Sequence, residues 1–265
     1  MKEIEENFKS RIENPNPEIA GDISYLYNLS LSDSIKTKRL KIDKNFYIIN
    51  DKNYAVDYLK EKIKEHDKFI RLNGTYLLYK FENHKKKYQF ESQDKVRNFI
   101  YAIRILKNSN CDLYTYFSVK DFRKKEYYIP SIFFNERLLN GDNITKIDST
   151  VEFNKVKKIY SKLSTINFYD LYHYSKLSNA IKFFNHSYEQ DWTLLKSTLL
   201  FIALESLFSD TSKSEISYKV ALRASYFLYP KDKKLRIDTF NTIKDGYDIR
   251  SCFVHGSETT SKIDK

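Results

Sequence analysis

Apolar positions recur with two different periods along this chain, and the change between them divides it. Up to about residue 165, helix-like and strand-like patterns alternate; from about 166 onward only the helical period remains. Residues 1–70 read as mostly helical, with Pro15 and Pro17 marking a loop. In AVDYLKEKIKEHDKFIRL, 55–72, Val56, Leu59, Ile63 and Ile70 give an amphipathic helix. TYLLYKFE, 75–82, follows Gly74 and is rich in aromatic and apolar residues, which predicts a strand. NHKKKYQF, 83–90, reads as a turn opening a candidate second strand. DKVRNFIYAIRILKN, 94–108, repeats Val96, Phe99, Ile100, Ile103 and Leu106 at helical spacing. LYTYFSV, 113–119, and EYYIPSIFF, 126–134, predict strands; Pro130 cannot donate to a ladder, which puts the second at a sheet edge. NGDN, 140–143, is a turn and EFNKVKKIYSKL, 152–163, a helix. The expectation for residues 1–165 is a mixed α+β domain.

Four helical stretches follow, and their short connections predict an antiparallel bundle over 166–265. The first covers roughly 168–187. The second, about 191–208, is apolar on nearly every face and should be central. The third opens on Ser212 and Glu215, which have capping-box spacing, and aligns Ile216, Val220, Arg223 and Phe227 on one stripe. A charge on an apolar stripe needs a partner, because burying it unpaired is costly. Glu205, the odd carboxylate of the second helix, is the expected partner of Arg223; the alternative is that both ends snorkel to solvent. The fourth stretch starts near Lys233 and aligns Phe240, Ile243, Tyr247, Arg250 and Val254; Gly246 weakens this helix without having to end it. The expected fold class is therefore α+β overall, an N-terminal mixed unit followed by an all-α four-helix bundle.

Composition supports this and adds charge. Only 5 Gly and 4 Pro punctuate the 265 residues, and 41% hydrophobic content excludes a disordered chain. A net charge of +11 would attract polyanions. The abundance of Lys, Asn, Ile, Tyr and Phe is equally the imprint of an AT-rich genome. Residues 170–265 hold 14 Lys and Arg against 12 Asp and Glu, a net of +2, so the remaining +9 lies in residues 1–169. Interleaved Tyr, Phe and Lys there could stack bases and hold phosphates, or simply form an aromatic-rich core. Cys111 and Cys252 are far apart and belong to no CxxC pair, which excludes a zinc site of the usual spacing; Cys252 reads as a small core residue. The start MKEIEENFKS is too polar for a signal peptide. The most apolar run, 194–208, contains Lys196 and Glu205 and is too short for a bilayer. No membrane contact and a reducing, cytoplasmic setting are expected. No helix-turn-helix stands out, which ranks a DNA-binding regulator last.

The candidate chemistry lies in YDIRSCFVHG, 247–256. Five residues of helix turn about 500°, leaving Arg250 and His255 about 140° apart, so they do not stack. With ten Arg and 5 His in the chain, chance gives about 0.2 pairs at this spacing, and the bare pair is a weak motif. A histidine near a helix end is usually structural, favoured by the helix dipole. Context strengthens the signal: the pair sits in the last predicted helix, with Ser251 after the arginine and Gly256 after the histidine.

Three segments, IALESLFSD (202–210), EISYKVALRASYFL (215–228) and YDIRSCFVHG (247–256), make the region from about 170 to 258 resemble HEPN domains, most closely the Apea-like subgroup. The resemblance covers about a third of the chain. Arg250, Ser251 and His255 match the Arg-polar-x-x-x-His signature of HEPN ribonucleases. It implies a HEPN-type four-helix bundle that forms a homodimer, with both signatures facing one cleft. It implies a metal-independent endoribonuclease with RNA as its partner, acting as a toxin-like effector in bacterial anti-phage defence. No cofactor is expected, and the chain shows no carboxylate or Cys/His cluster for a metal. The residue types suit this chemistry. An imidazole exchanges protons near neutral pH. A guanidinium offers a permanently charged fork to a phosphorane. Ser251 would donate to a phosphate oxygen, or else cap the helix or face solvent. Nothing carries over to the first 165 residues, which would recognise the RNA, a trigger or a regulatory partner. Only ten residues follow His255, where relatives commonly continue with another helix, so the chain is expected to be cut short. The alternative function is a HEPN dimer that binds RNA or protein without cleaving it.

Overall fold

The segment RLKIDKNFYII turns back on itself at Lys44. Asp43 Oδ1 accepts the Lys44 amide at 2.7 Å and the Tyr47 hydroxyl donates to the Lys44 carbonyl at 3.0 Å, closing a tight hairpin between two strands. In the computed structural model, residues 20–32, 35, 39–49, 75–81, 86–121, 126–131, 144–166, 168, 175–210 and 215–255 are described. The chain divides into two compact units, Met1–Thr165 and Ile166–Lys265.

The first unit contains β1 (Ala20–Tyr27), β2 (Leu29–Leu31), β3 (Arg39–Asp43), β4 (Phe46–Ile49), β5 (Thr75–Phe81), α1 (Lys86–Lys107), β6 (Asp112–Asp121), β7 (Glu126–Ser131), β8 (Thr145–Ile147) and α2 (Thr150–Leu163). Six strands form an antiparallel sheet in the order β3-β4-β5-β1-β6-β7, and β2 pairs in parallel with β8. Period-2 burial of Thr75, Leu77 and Tyr79, matched by Phe46 and Ile48 on the neighbouring strand, marks the core face. Against it α1 buries Val96, Phe99, Ile100 and Ile103, and α2 buries Phe153, Val156, Tyr160 and Leu163. Phe46 packs edge-on to Phe99, with centroids 6.1 Å apart, and lies 5.8 Å from Tyr160. Buried Arg104 is paired through Nη2 with Asp112 at 3.1 Å and donates from the same atom to the Cys111 carbonyl at 3.1 Å.

Several expectations change here. Within 1–70 the described residues form β1 to β4 and no helix; β1 and β2 pair with segments distant in sequence, whereas β3 and β4 form a local hairpin whose other edge pairs with β5. Residues 86–90 open α1 rather than a second strand; Lys and Gln are good helix formers and no Gly or Pro stops them. The strand of Pro130 does lie at a sheet edge. The loop at Pro15 and Pro17, the helix 55–72 and the turn 140–143 fall outside the described residues.

The second unit is all helical among its described residues: α3 (Lys176–Ser187), α4 (Thr193–Phe208), α5 (Ile216–Leu228) and α6 (Lys233–His255). Helix α3 packs on α4, α5 packs on α6, and α4 also touches α5 and α6, which makes it central. Small buried residues, Ala221, Ala224 and Ser225, let α5 approach its neighbours closely. Although α4 is the most apolar helix, only its Ala203 is buried. Glu215 takes the N-cap position of α5 in a left-handed conformation (φ 53°) and makes no side-chain cap bond. The expected capping box therefore does not form: Glu215 sits three positions too early for its role, and Ser212 is outside the described residues. The chain as a whole is α+β. Among the described residues no helix is long and apolar enough to cross a membrane.

Candidate functional site

Helix α6 runs unbroken through Gly246 to His255. At Gly246 it crosses close to α4: a Cβ there would collide with Phe201 Cζ, so the position is a notch cut for the Phe201 ring. The same ring lies 4.8 Å from that of Tyr247. One turn further along both helices, Glu205 follows Phe201 and Arg250 follows Gly246. Here Arg250 Nη1 donates to Glu205 Oε1 at 2.8 Å, a charge-assisted bond between side chains 26% and 24% exposed. Because both contacts join residues 45 apart, the notch and the ion pair belong to one register of α4 on α6.

This arrangement overturns the expected pairing of Glu205 with Arg223. Arg223 is itself exposed, and donates instead to the Phe208 carbonyl at 2.7 Å and to Asp210 at 2.8 Å, where it ties down the end of α4. The carboxylate was the right one to single out, but the cation facing it comes from α6. Glu205 is the residue of the site that the sequence pattern did not connect to the signature. The available signal was that Glu205 and Arg250 are each the one charge on an otherwise apolar stripe.

Arg250 is held from two sides. Its guanidinium carbon lies 5.9 Å from the centroid of the Tyr247 ring, and its Nε is buried without a hydrogen-bond partner. The Tyr247 hydroxyl is also buried and makes no well-formed hydrogen bond. Burial first, and the Glu205 charge next, push its pKa well above the ordinary tyrosine value, against the opposing effect of Arg250. Tyr247 thus stays a neutral wall beside the ion pair.

The other two signature residues lie differently. Ser251 and His255 are exposed on the last turns of α6, and among the described residues neither side chain makes a hydrogen bond. In one chain, Arg250 contacts Glu205 and Tyr247 while His255 stands in solvent, so the two are not brought together by side-chain contact. Between them Cys252 is half-buried, and Phe253 packs edge-on to Trp192 at 4.7 Å, holding the end of α6 against the residue that precedes α4. Asp245 and Asp248 are exposed. The site can offer a half-exposed, oriented guanidinium and, within two turns, an accessible imidazole. No protein-family model, no curated protein and no solved structure matches this chain.

Proposed function

We propose that the second unit is a HEPN-type bundle and that the protein is a metal-independent endoribonuclease working as a homodimer. The observation that carries this reading is the exposed imidazole of His255, without a partner among the described residues, on the same helix end as the anchored, half-exposed guanidinium of Arg250. In the dimer, one His255 takes the proton of a ribose 2′-hydroxyl. The oxygen attacks the adjacent phosphorus, the P–O5′ bond breaks, and the second His255 protonates the departing O5′. A 2′,3′-cyclic phosphate and a 5′-hydroxyl result. Arg250 stabilises the extra negative charge of the phosphorane, and exposed Ser251 donates to a phosphate oxygen. Two copies are needed because each chain supplies one signature histidine, His255. Apolar side chains left exposed on this unit, Phe227 at 74% and Trp192 at 58% among them, give a second copy something to cover. The net charge of +11 favours RNA as the polyanion. A toxin-like role in anti-phage defence, in the cytoplasm, follows from the same reading, with the first unit recognising the RNA, a trigger or a regulatory partner.

The ion pair itself favours a second reading: an arginine engaged by Glu205 is also what a purely structural contact looks like, and the bundle would then bind RNA or protein without cutting it. The test incubates the full chain with RNA and sequences the new ends. His255→Ala and Arg250→Ala should each lower cleavage by about 10²-fold or more, EDTA should leave it unchanged, and RNA carrying a single 2′-deoxy position should resist at that linkage. Equal cleavage by wild type and both variants would discard the reading, as would an activity that EDTA abolishes.

A further inference from the structure

We infer that Glu205 is a positioning residue for Arg250, so that the working unit of the site includes a carboxylate on α4 as well as the α6 signature. This rests on the reading of Arg250 as the group that meets the phosphate. A guanidinium carries five N–H donors on a long, rotamer-rich side chain. Here one Nη1 hydrogen is taken by Glu205 at 2.8 Å, Nε faces the interior, and the side chain remains 26% exposed. What remains accessible is therefore the outer Nη edge, presented in one orientation. Without the carboxylate, the guanidinium would sample many orientations, and a phosphorane would have to select one of them. Glu205 is itself fixed by the helix contact one turn away, where Phe201 fills the notch at Gly246. The carboxylate leaves the other Nη hydrogens unoccupied, and it offsets the cost of keeping a partly buried cation in place when no RNA is bound.

The experiment measures kcat and KM of the full chain on a single-stranded oligoribonucleotide, together with thermal unfolding, for Glu205→Ala, Glu205→Gln, Arg250→Ala and the Glu205→Ala/Arg250→Ala double variant. Glu205→Ala should lower kcat about 10- to 100-fold per folded molecule, with KM changed by less than about threefold. Glu205→Gln keeps an acceptor oxygen at the same reach and should recover to within about fivefold of wild type. The double variant should be no slower than Arg250→Ala alone, because the carboxylate acts only through the arginine. A merely structural contact would lower the unfolding temperature and leave kcat per folded molecule unchanged, which overturns the inference. So does a faster Glu205→Ala enzyme, which would make the carboxylate a competitor of the phosphate, or fully additive losses in the double variant. A wild-type chain that does not cleave, or an Arg250→Ala chain that cleaves as well as wild type, overturns the nuclease reading and this inference together. That failure shows in the wild-type and Arg250→Ala reactions alone, so the two are told apart.

Discussion

The two units of this chain bury their apolar residues very differently. In the first, Tyr25, Leu26, Phe46, Leu77, Phe99 and Ile103 are fully enclosed, and none of the largest fully buried side chains belongs to the second. In the second, Trp192, Leu207, Tyr218, Tyr226, Phe227 and Leu228 are exposed, and the most apolar helix encloses only an alanine. A layered sheet and helix pair closes its core within one chain. A bundle of four helices, the longest of 23 residues, has too little interior for that many aromatic residues and leaves them on its surface. The difference teaches where apolar surface is closed off within one chain and where it is left to solvent.

The largest effect expected from substitution lies in the enclosed core. Phe99→Ala removes a ring packed on Phe46 and should cost about 3–5 kcal/mol, read as a lowered urea midpoint. A loss below about 1 kcal/mol would break the contrast. Gly246→Ala comes next. Its Cβ would collide with Phe201, an overpacking cost of about 1–3 kcal/mol, offset by up to about 1 kcal/mol of helix propensity. The net expectation is a loss of about 1–2 kcal/mol, measured by the same unfolding, with the Arg250–Glu205 register disturbed. Phe227→Ser, on the exposed face, should change the stability of the isolated chain by less than about 1 kcal/mol, since the ring is 74% exposed and among the described residues its ring contact is with Phe208. If a second copy covers that face, the same substitution weakens self-association in sedimentation equilibrium, which sharpens the comparison.

The smallest effect is acid sensitivity of the first unit. Burial, the largest single influence, would raise the carboxyls of Asp43 and Glu152, but side-chain and backbone hydrogen bonds and lysine charge, led by Lys95 for Asp43 and Lys107 for Glu152, together outweigh it and hold both below the ordinary carboxylate range. A depressed folded pKa contributes stability above the unfolded value of about 4 that is lost as pH falls through the folded one. Unfolding midpoints should therefore drop below about pH 4, and Asp43→Asn should flatten that drop.

How much of this was legible depended on whether a signal was local. The helices of the second unit follow the 3.6-residue period closely; the stretch expected over 191–208 is Thr193–Phe208, and that expected from Lys233 begins there. Long periodic runs with few Gly or Pro leave little room for error. The strands β3 and β4 were hidden because each is at most five residues, and what makes them strands is pairing, β4 with β5 some thirty residues on. DKN between two apolar runs was the one local clue to their hairpin.

The candidate site divides in the same way. Sequence alone determined that Glu205 and Arg250 are charges on apolar helix faces, that Glu205 would be met by an arginine, and that His255 lies near the end of the last helix. It pointed to Arg223 for Glu205 where the structure has Arg250, because stripe membership fixes a face but not the slide of one helix along another. The tertiary structure decided that through the notch at Gly246: the Phe201 ring fits where a side chain is missing, and one turn away the carboxylate meets Arg250 at 2.8 Å. Periodicity is a property of each helix alone, whereas register is a property of two surfaces packing without voids.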